Sequence, residues 1–496
     1  MDELTLAPLS NATLARLPDG VLRPRYDRAA IGPGIVHVGV GNFHRAHQAW
    51  YLHRLMQDGK ALDWGIVGGG VRAADAGMRA RLAAQDNLTT LIQLDPDEGR
   101  VEVTGSMIAF AEVAETGHAP LVAAMADPRI RIVSLTVTEG GYYRDAGGAL
   151  NADHPDIRHD AAHLDTPRTA FGAMIAALRR RRAAGDAGFT CLSCDNLQGN
   201  GDVLQGAVLG LARMQDPALA DWIAANTAFP NSMVDCIVPA TGPRERAMAA
   251  AAGIDDAAPV THERFRQWVI EDRFPTGRPE WEAAGATLAD DVHAYETMKI
   301  RLLNAGHQIL ANAGELLSLD SIADCMAHRD VAALLRTVLS REVAPHVAPV
   351  PGRTPQQYLD LISGRFANPL IHDTVRRVAF DGTARHATFV LPTIRDALAA
   401  GAPLDGLALT EALWARMCAG TREDGTAIEP NDPHWDARHR NAEAARTHPQ
   451  IWLAQDEVYG DLADAPRFEQ SFSRWLRTIW CDGSAAAIRG YLEAPA

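Results

Sequence analysis

The stretch IVHVGVGNFHRAHQAWYLHRLM (35–56) decides the fold, because it reads as a strand, a glycine turn and a helix in immediate succession. IVHVGV (35–40) is rich in β-branched residues, and AHQAWYLHRLM (46–56) carries its apolar residues at helical spacing. Gly39 and Gly41 fall at the junction. A dinucleotide-binding turn needs glycines there, one for the tight turn and one so that pyrophosphate can approach the backbone at a helix N-terminus. The third position of G-x-G-x-x-G is His44, so the generic fingerprint is incomplete, and by itself the motif also suits a purely structural turn.

The flanking chain extends this pattern. WGIVGGGV (64–71), RIRIVSLTVT (129–138), TCLSCDN (190–196) and MVDCIVPA (233–240) read as further strands. Helical stretches such as ADAGMRARLAAQ and AFGAMIAALRRRR separate them, which predicts βαβ units and a mostly parallel sheet. TLIQLDPDEGRVEVTG (90–105) reads as a hairpin inserted into that scheme. From about residue 290 strands give way to helical periodicity, as in VHAYETMKIRLLNAGHQILANAGELLSL, with RFPTGRPEWEAAGATLADD (273–291) as the linker. The fold expected is an α/β N-terminal domain with a Rossmann-like, mostly parallel sheet (1–285), followed by a mainly α-helical C-terminal domain (286–496). A site is expected in the cleft between them. At the end of the second strand, Arg72 precedes Asp75: an arginine there favours the 2′-phosphate of NADP and an acid the ribose of NAD. The choice between NAD and NADP stays open.

The 496 residues carry 62 acidic and 47 basic side chains, a net charge of −15, which disfavours a nucleic-acid binder. No apolar run is long enough to span a membrane, and the N-terminus reads as lacking a secretion signal. Six cysteines in so long a chain predict reduced thiols and a cytoplasmic protein, not a disulfide scaffold. Arg179 to Arg182 read as a solvated helix end. Only two of the basic residues are lysines, Lys60 and Lys299.

Lys299 shares a helical segment with Asn304 and His307. At about 100° per residue, His307 lies roughly 80° and Asn304 roughly 140° around from Lys299, so all three can line one broad face. Polar groups on an otherwise apolar helix are costly unless paired or used. A lysine becomes a usable base when burial or a nearby positive charge lowers its pKa. A surface lysine, a helix-interior asparagine and a core histidine would give the same letters.

GVGNFHRAHQ (39–48), SLTVTEGGY (134–142), SCDNLQGNG (193–201), MVD (233–235) and KIRLLNAGH (299–307) occur in this order. In these motifs, and over nearly its whole length, the chain resembles the mannitol dehydrogenase family. These polyol-specific long-chain dehydrogenases include arabinitol dehydrogenases and fructuronate and tagaturonate reductases. The resemblance implies zinc-independent, NAD(P)-dependent interconversion of a secondary alcohol and a ketone. It makes Lys299 the general base, Asn196 and Asn304 donors to the developing alkoxide, and His307 a group that orients substrate and amine. Glu296 matches a glutamate linked to proton escape, and Asp235 and Arg377 match positions that grip substrate hydroxyls. Gly39, Gly41, Phe43 and Arg45 match the cofactor loop, and Thr138, Glu139 and Gly140 the next cofactor-facing turn. One departure is Cys236, where the mannitol enzymes carry an arginine after M-V-D; losing that cation alters polyol recognition, which leaves mannitol itself open as the substrate, and argues against a hexonate, whose carboxylate wants positive charge.

The resulting expectation is mannitol 2-dehydrogenase-like oxidation of a polyol to a ketose with NAD, or NADP, and no metal, by a monomer or small homo-oligomer. The alternatives are a hexuronate reductase, a D-arabinitol dehydrogenase, or a nucleotide-binding sensor without activity. Cys191-x2-Cys194 and His44-x2-His47 have metal-like spacing, but alternation along a strand would not converge both cysteines on one ion.

Overall fold

The computed structural model describes residue 6, residues 8–145 and residues 147–494. Part of the N-terminal stretch read for a targeting signal (1–5 and 7) lies outside the described residues. The chain forms two compact units, Met1–His293 and Ala294–Ala496.

The first unit contains β1 (Pro33–Val38), β2 (Gly65–Gly69), β3 (Thr89–Leu94), β4 (Arg100–Thr104), β5 (Met107–Phe110), β6 (Ile132–Leu135), β7 (Thr190–Ser193), β8 (Ser232–Asp235), β9 (Val260–Glu263), β10 (Gln267–Glu271) and β11 (Thr287–Ala289). A five-stranded, wholly parallel sheet runs in the order β5-β2-β1-β6-β7. Alternation along β1 shows why both faces are covered: Val36 and Val38 enter one apolar cluster and Ile35 the other. His37, also buried, bonds to Ser134 Oγ at 2.8 Å and Thr136 Oγ1 at 3.0 Å, so its polar ring is satisfied inside the sheet.

Three sequence expectations change. MVD is not a strand of the parallel sheet: β8 pairs antiparallel with β10 in a separate three-stranded sheet, β11-β10-β8. The fifth parallel strand is instead β5, whose single turn of apolar residues carried no clear period. The 90–105 stretch does form an antiparallel hairpin, β3–β4, with β9 added in parallel to β3. Nor is 273–291 a bare linker, since it contains β11 and the buried Trp281, whose ring lies 4.7 Å from that of Trp268. Within the arginine run Arg181 is buried, donating to Ala187 O and Ile130 O at 2.7 Å, and so braces two loops.

The second unit is helical. Its Asp405–Met417 helix is buried from Gly406 to its end. The segment carrying Lys299 runs from His293 to Leu316 as α-helix, a π turn over Lys299–Asn304, and α-helix again. No helix among the described residues is long and apolar enough to cross a membrane.

Candidate active site

In the first unit, β1 ends in the turn that the glycines predict. Gly39 has φ +90°, and a Cβ built there would lie 2.1 Å from Thr136 O, so no side chain fits. Gly41 differs. Its backbone is extended, and a Cβ would meet nothing nearer than Gly39 O at 3.9 Å. Neither packing nor conformation requires glycine at 41; it leaves open space at the start of the Asn42–Ala46 helix. Gly140 is equally open, with nothing within 4 Å of a Cβ. Such open glycines beside a helix N-terminus fit a dinucleotide pyrophosphate.

Behind this turn, Arg45 is buried and pinned: its guanidinium donates to Gly41 O at 3.3 Å, to Asn42 Oδ1 at 2.8 Å and to Ala258 O. Burial pushes its pKa down to about 10. Phe43 is half-buried and stacks on His47 at 4.8 Å. His44, in place of the third fingerprint glycine, stacks on His37 with ring centroids 3.4 Å apart, so helix and strand are joined through two imidazoles. Arg72 is exposed at the end of β2 and donates to Val137 O at 3.4 Å. Asp75 caps its own helix by accepting Arg72 N–H at 2.9 Å.

Asn196 is exposed just beyond β7, and Thr138, Glu139 and Gly140 are exposed just beyond β6, the neighbouring parallel strand. Both loops therefore leave the carboxyl ends of adjacent strands, where ligands of open α/β sheets bind. Asp235 is buried at the end of β8. Cys191 and Cys194 are buried thiols with raised pKa values. Among the described residues, the His, Cys and acidic side chains close enough to share an ion are Glu271, Asp291 and His293, not the two motif pairs. Glu271 is already ion-paired to Arg273, and His293 bonds to Asp291 at 2.7 Å.

In the second unit, Glu296, Lys299 and Asn304 are all buried, at 3%, 7% and 8% exposure. The 140° offset expected for an α-helix does not apply. In the π turn the Ala305 N–H donates to Ile300 O, five residues back. At about 4.4 residues per π turn, five residues go round roughly 410°, which narrows the offset between Asn304 and Lys299 to about 50°. Gly306 lets the next turn pack, since a Cβ there would lie 3.2 Å from Leu335 and 3.4 Å from Phe366. His307 packs on Phe366 with centroids 4.4 Å apart, and its Nε2 has no hydrogen-bond partner among the described residues. Burial pushes its pKa down to about 4, opposed by the nearby Asp373 carboxylate. Arg377 is exposed and held two-pronged by the buried Asp373, through Nε at 2.6 Å and a terminal nitrogen at 2.5 Å.

Two whole-length features match known proteins. Residues 33–283 match the model of the mannitol dehydrogenase Rossmann domain, and residues 291–480 that of the mannitol dehydrogenase C-terminal domain. The chain belongs to the mannitol dehydrogenase family. It is 54% identical over 474 residues to mannitol 2-dehydrogenase of Cereibacter sphaeroides, covering 96% of this chain and 99% of the relative. The structure of Pseudomonas fluorescens mannitol 2-dehydrogenase in ternary complex with NAD and D-mannitol superposes with a TM-score of 0.89 at 40% identity, over 99% of this chain and 100% of that one. A substrate-free D-sorbitol dehydrogenase gives a TM-score of 0.90 at 35% identity, over 97% of this chain and 100% of that one. As a member of this family, the protein is an NAD-dependent oxidoreductase acting on a CH–OH group, a polyol dehydrogenase.

The residues missed by sequence reading are Asp373, Phe366 and Asp195. Asp373 could have been suspected from its i, i+4 spacing to Arg377. Phe366 and Asp195 act through tertiary contacts that no local spacing encodes.

Proposed function

We propose that the protein oxidises a sugar alcohol of the mannitol type at C2 to the ketose, with NAD as cofactor, Lys299 as general base and no metal ion. The observation that supports this most is the π turn, which sets the buried amine of Lys299 and the buried amide of Asn304 on one face, one turn before His307 with its unpartnered ring nitrogen. When bound, the nicotinamide supplies the hydride acceptor. Gly41 and Gly140 leave its pyrophosphate room, Gly39 makes the tight turn before it, and Phe43, Thr138 and Glu139 flank it. Arg45 holds the loop from behind. Arg72 is the group that a 2′-phosphate would meet if NADP is used.

In this reading the Lys299 amine, when neutral, takes the hydroxyl proton, a step closed to arginine because arginine stays protonated. Asn196 and Asn304 donate amide N–H groups to the oxygen as it gains negative charge, which stabilises the alkoxide without a Lewis acid. Glu296, one turn before the lysine, takes the proton onward. His307 Nε2 holds the substrate hydroxyl beside the amine, and Asp235 and Arg377 bind the remaining hydroxyls. Cys236 offers a carboxylate no charge, which favours a neutral polyol over a hexonate.

The test is cofactor absorbance at 340 nm with mannitol, arabinitol, sorbitol, xylitol, mannonate and altronate, each with NAD and with NADP. Mannitol with NAD is expected to give the highest kcat/KM, unchanged by a chelator. Preference for a hexonate, or no turnover despite NADH binding, would refute the proposal.

A further inference from the structure

Asp195, the residue before Asn196, is buried and joins two loops that leave neighbouring strands. Its Oδ2 accepts the Val137 N–H at 3.0 Å and the Tyr142 hydroxyl at 2.8 Å, and its Oδ1 accepts the Thr138 N–H at 2.8 Å. Its main chain is fixed as well. Asp195 O accepts the Asn200 side-chain amide at 3.0 Å and the Leu197 N–H at 2.9 Å, and the same Asn200 amide reaches Ser232 O at 2.7 Å. Thr138 needs such a hold. With φ +65° it adopts a conformation that a β-branched residue keeps only when its surroundings impose it.

We propose that Asp195 is a positioning residue for the reaction, its carboxylate clamping the 138–140 turn in register with the amide of Asn196. This rests on the reading that Asn196 donates to the reacting oxygen and that 138–140 faces the cofactor. A carboxylate is suited to the task because it accepts three hydrogen bonds and offers none, whereas an asparagine would turn an N–H toward one of the three donors. Burial pushes the Asp195 pKa up to about 6, with the Val137, Tyr142 and Thr138 bonds pulling the other way and the Glu139 charge adding to the rise. The other titratable group packed against it, the buried Cys194 thiol, is held neutral by burial. The clamp is therefore complete above about pH 6 and weakens below it, as the carboxyl gains a proton and loses an acceptor.

The experiment compares wild type, D195N and Y142F by thermal unfolding, NADH fluorescence titration and polyol oxidation from pH 5 to 9. D195N is expected to lower kcat at least tenfold while the polyol KM moves less than threefold, and to weaken NADH binding severalfold. Y142F removes one donor to the charged form, so the acid limb of NADH binding, near pH 6 in wild type, is expected to move to higher pH. A merely structural brace would lower the unfolding temperature and leave kcat and the limb where they were. Wild-type kcat in D195N, or an unmoved limb in Y142F, overturns the proposal; if D195N does not fold, Y142F decides it. If wild type binds NADH but oxidises no polyol, the functional reading fails instead, and the position of the Y142F limb still decides the clamp.

Discussion

Replacing Gly41 by alanine is expected to separate stability from cofactor binding. The backbone at 41 is extended, and the added methyl meets nothing closer than 3.9 Å. Lower unfolded-state entropy contributes about 0.4–1 kcal/mol in favour of the fold. Replacing glycine by alanine at a helix N-cap costs about 0.5–1 kcal/mol. These nearly cancel, so the unfolding temperature should stay within about 2 °C of wild type. The methyl would, however, occupy the space assigned to pyrophosphate, and NADH affinity should fall 10- to 100-fold, about 1.4–2.8 kcal/mol. Gly39→Ala is the contrasting control: its Cβ would lie 2.1 Å from Thr136 O at φ +90°. A positive φ alone costs about 1–2 kcal/mol, and displacing the Thr136 carbonyl adds to it, so unfolding should fall by several degrees. Calorimetry and NADH fluorescence quenching read both quantities on the same samples. Wild-type NADH affinity in Gly41→Ala, or wild-type stability in Gly39→Ala, would refute the reading of this turn.

Lys299→Ala should abolish most turnover with NADH affinity within about threefold of wild type, and Lys299→Arg should not rescue it, because a guanidinium cannot accept the proton; stopped-flow and titration on one preparation check both. Oxidation by wild type should accelerate toward alkaline pH as the amine becomes neutral, and a flat kcat/KM profile from pH 7 to 10 would count against a lysine base. Burial holds His37 and His262 down at about 3 and His307 at about 4. The unfolded chain takes up those protons below about 6.5, so these groups cost nothing above that pH, and each removes about 2 kcal/mol of stability by pH 5. Urea midpoints at pH 7.5 and 5 should show the loss, which His307→Asn should reduce. Asp373→Asn should release the Arg377 guanidinium from its two-pronged hold and raise the polyol KM more than it lowers kcat, as steady-state kinetics would show.

The parallel sheet was legible because its strands are short, β-branched and spaced by helices, and because β1 runs straight into a glycine turn. What misled was MVD: its apolar period says strand but does not say with which partner, and its pairing with β10 is set by a segment more than thirty residues away. The same limit hid β5. The buried anchors Trp281 and Arg181 sit in a stretch that looks like linker and a run that looks like solvated charge, because composition averages over the one residue that turns inward.

The catalytic helix shows a different limit. Its residue types were legible, since a lysine, an asparagine and a histidine on an apolar segment demand an account, in a chain that otherwise uses arginine for positive charge. Their shared face was legible in outline, since at the 3.6-residue period all three can line one broad face, but that period puts Lys299 and Asn304 at its two edges. The π turn over Lys299–Asn304 narrows that offset. Its hydrogen-bond ladder departs from the α pattern, as it also does at Leu339–Val343 and His386–Val390 in the same unit. Packing at Gly306 against Leu335 and Phe366 holds the following turn in place, so the extra residue is accommodated at Lys299–Asn304 and not passed along the helix. Deleting Ile300 would remove the extra residue and leave Lys299 and Asn304 four apart in an α-helix, about 40° around the axis and so still on one face. Turnover should then be retained in part at nearly unchanged helix content by circular dichroism, whereas its complete loss would mean that the π turn sets something other than the shared face.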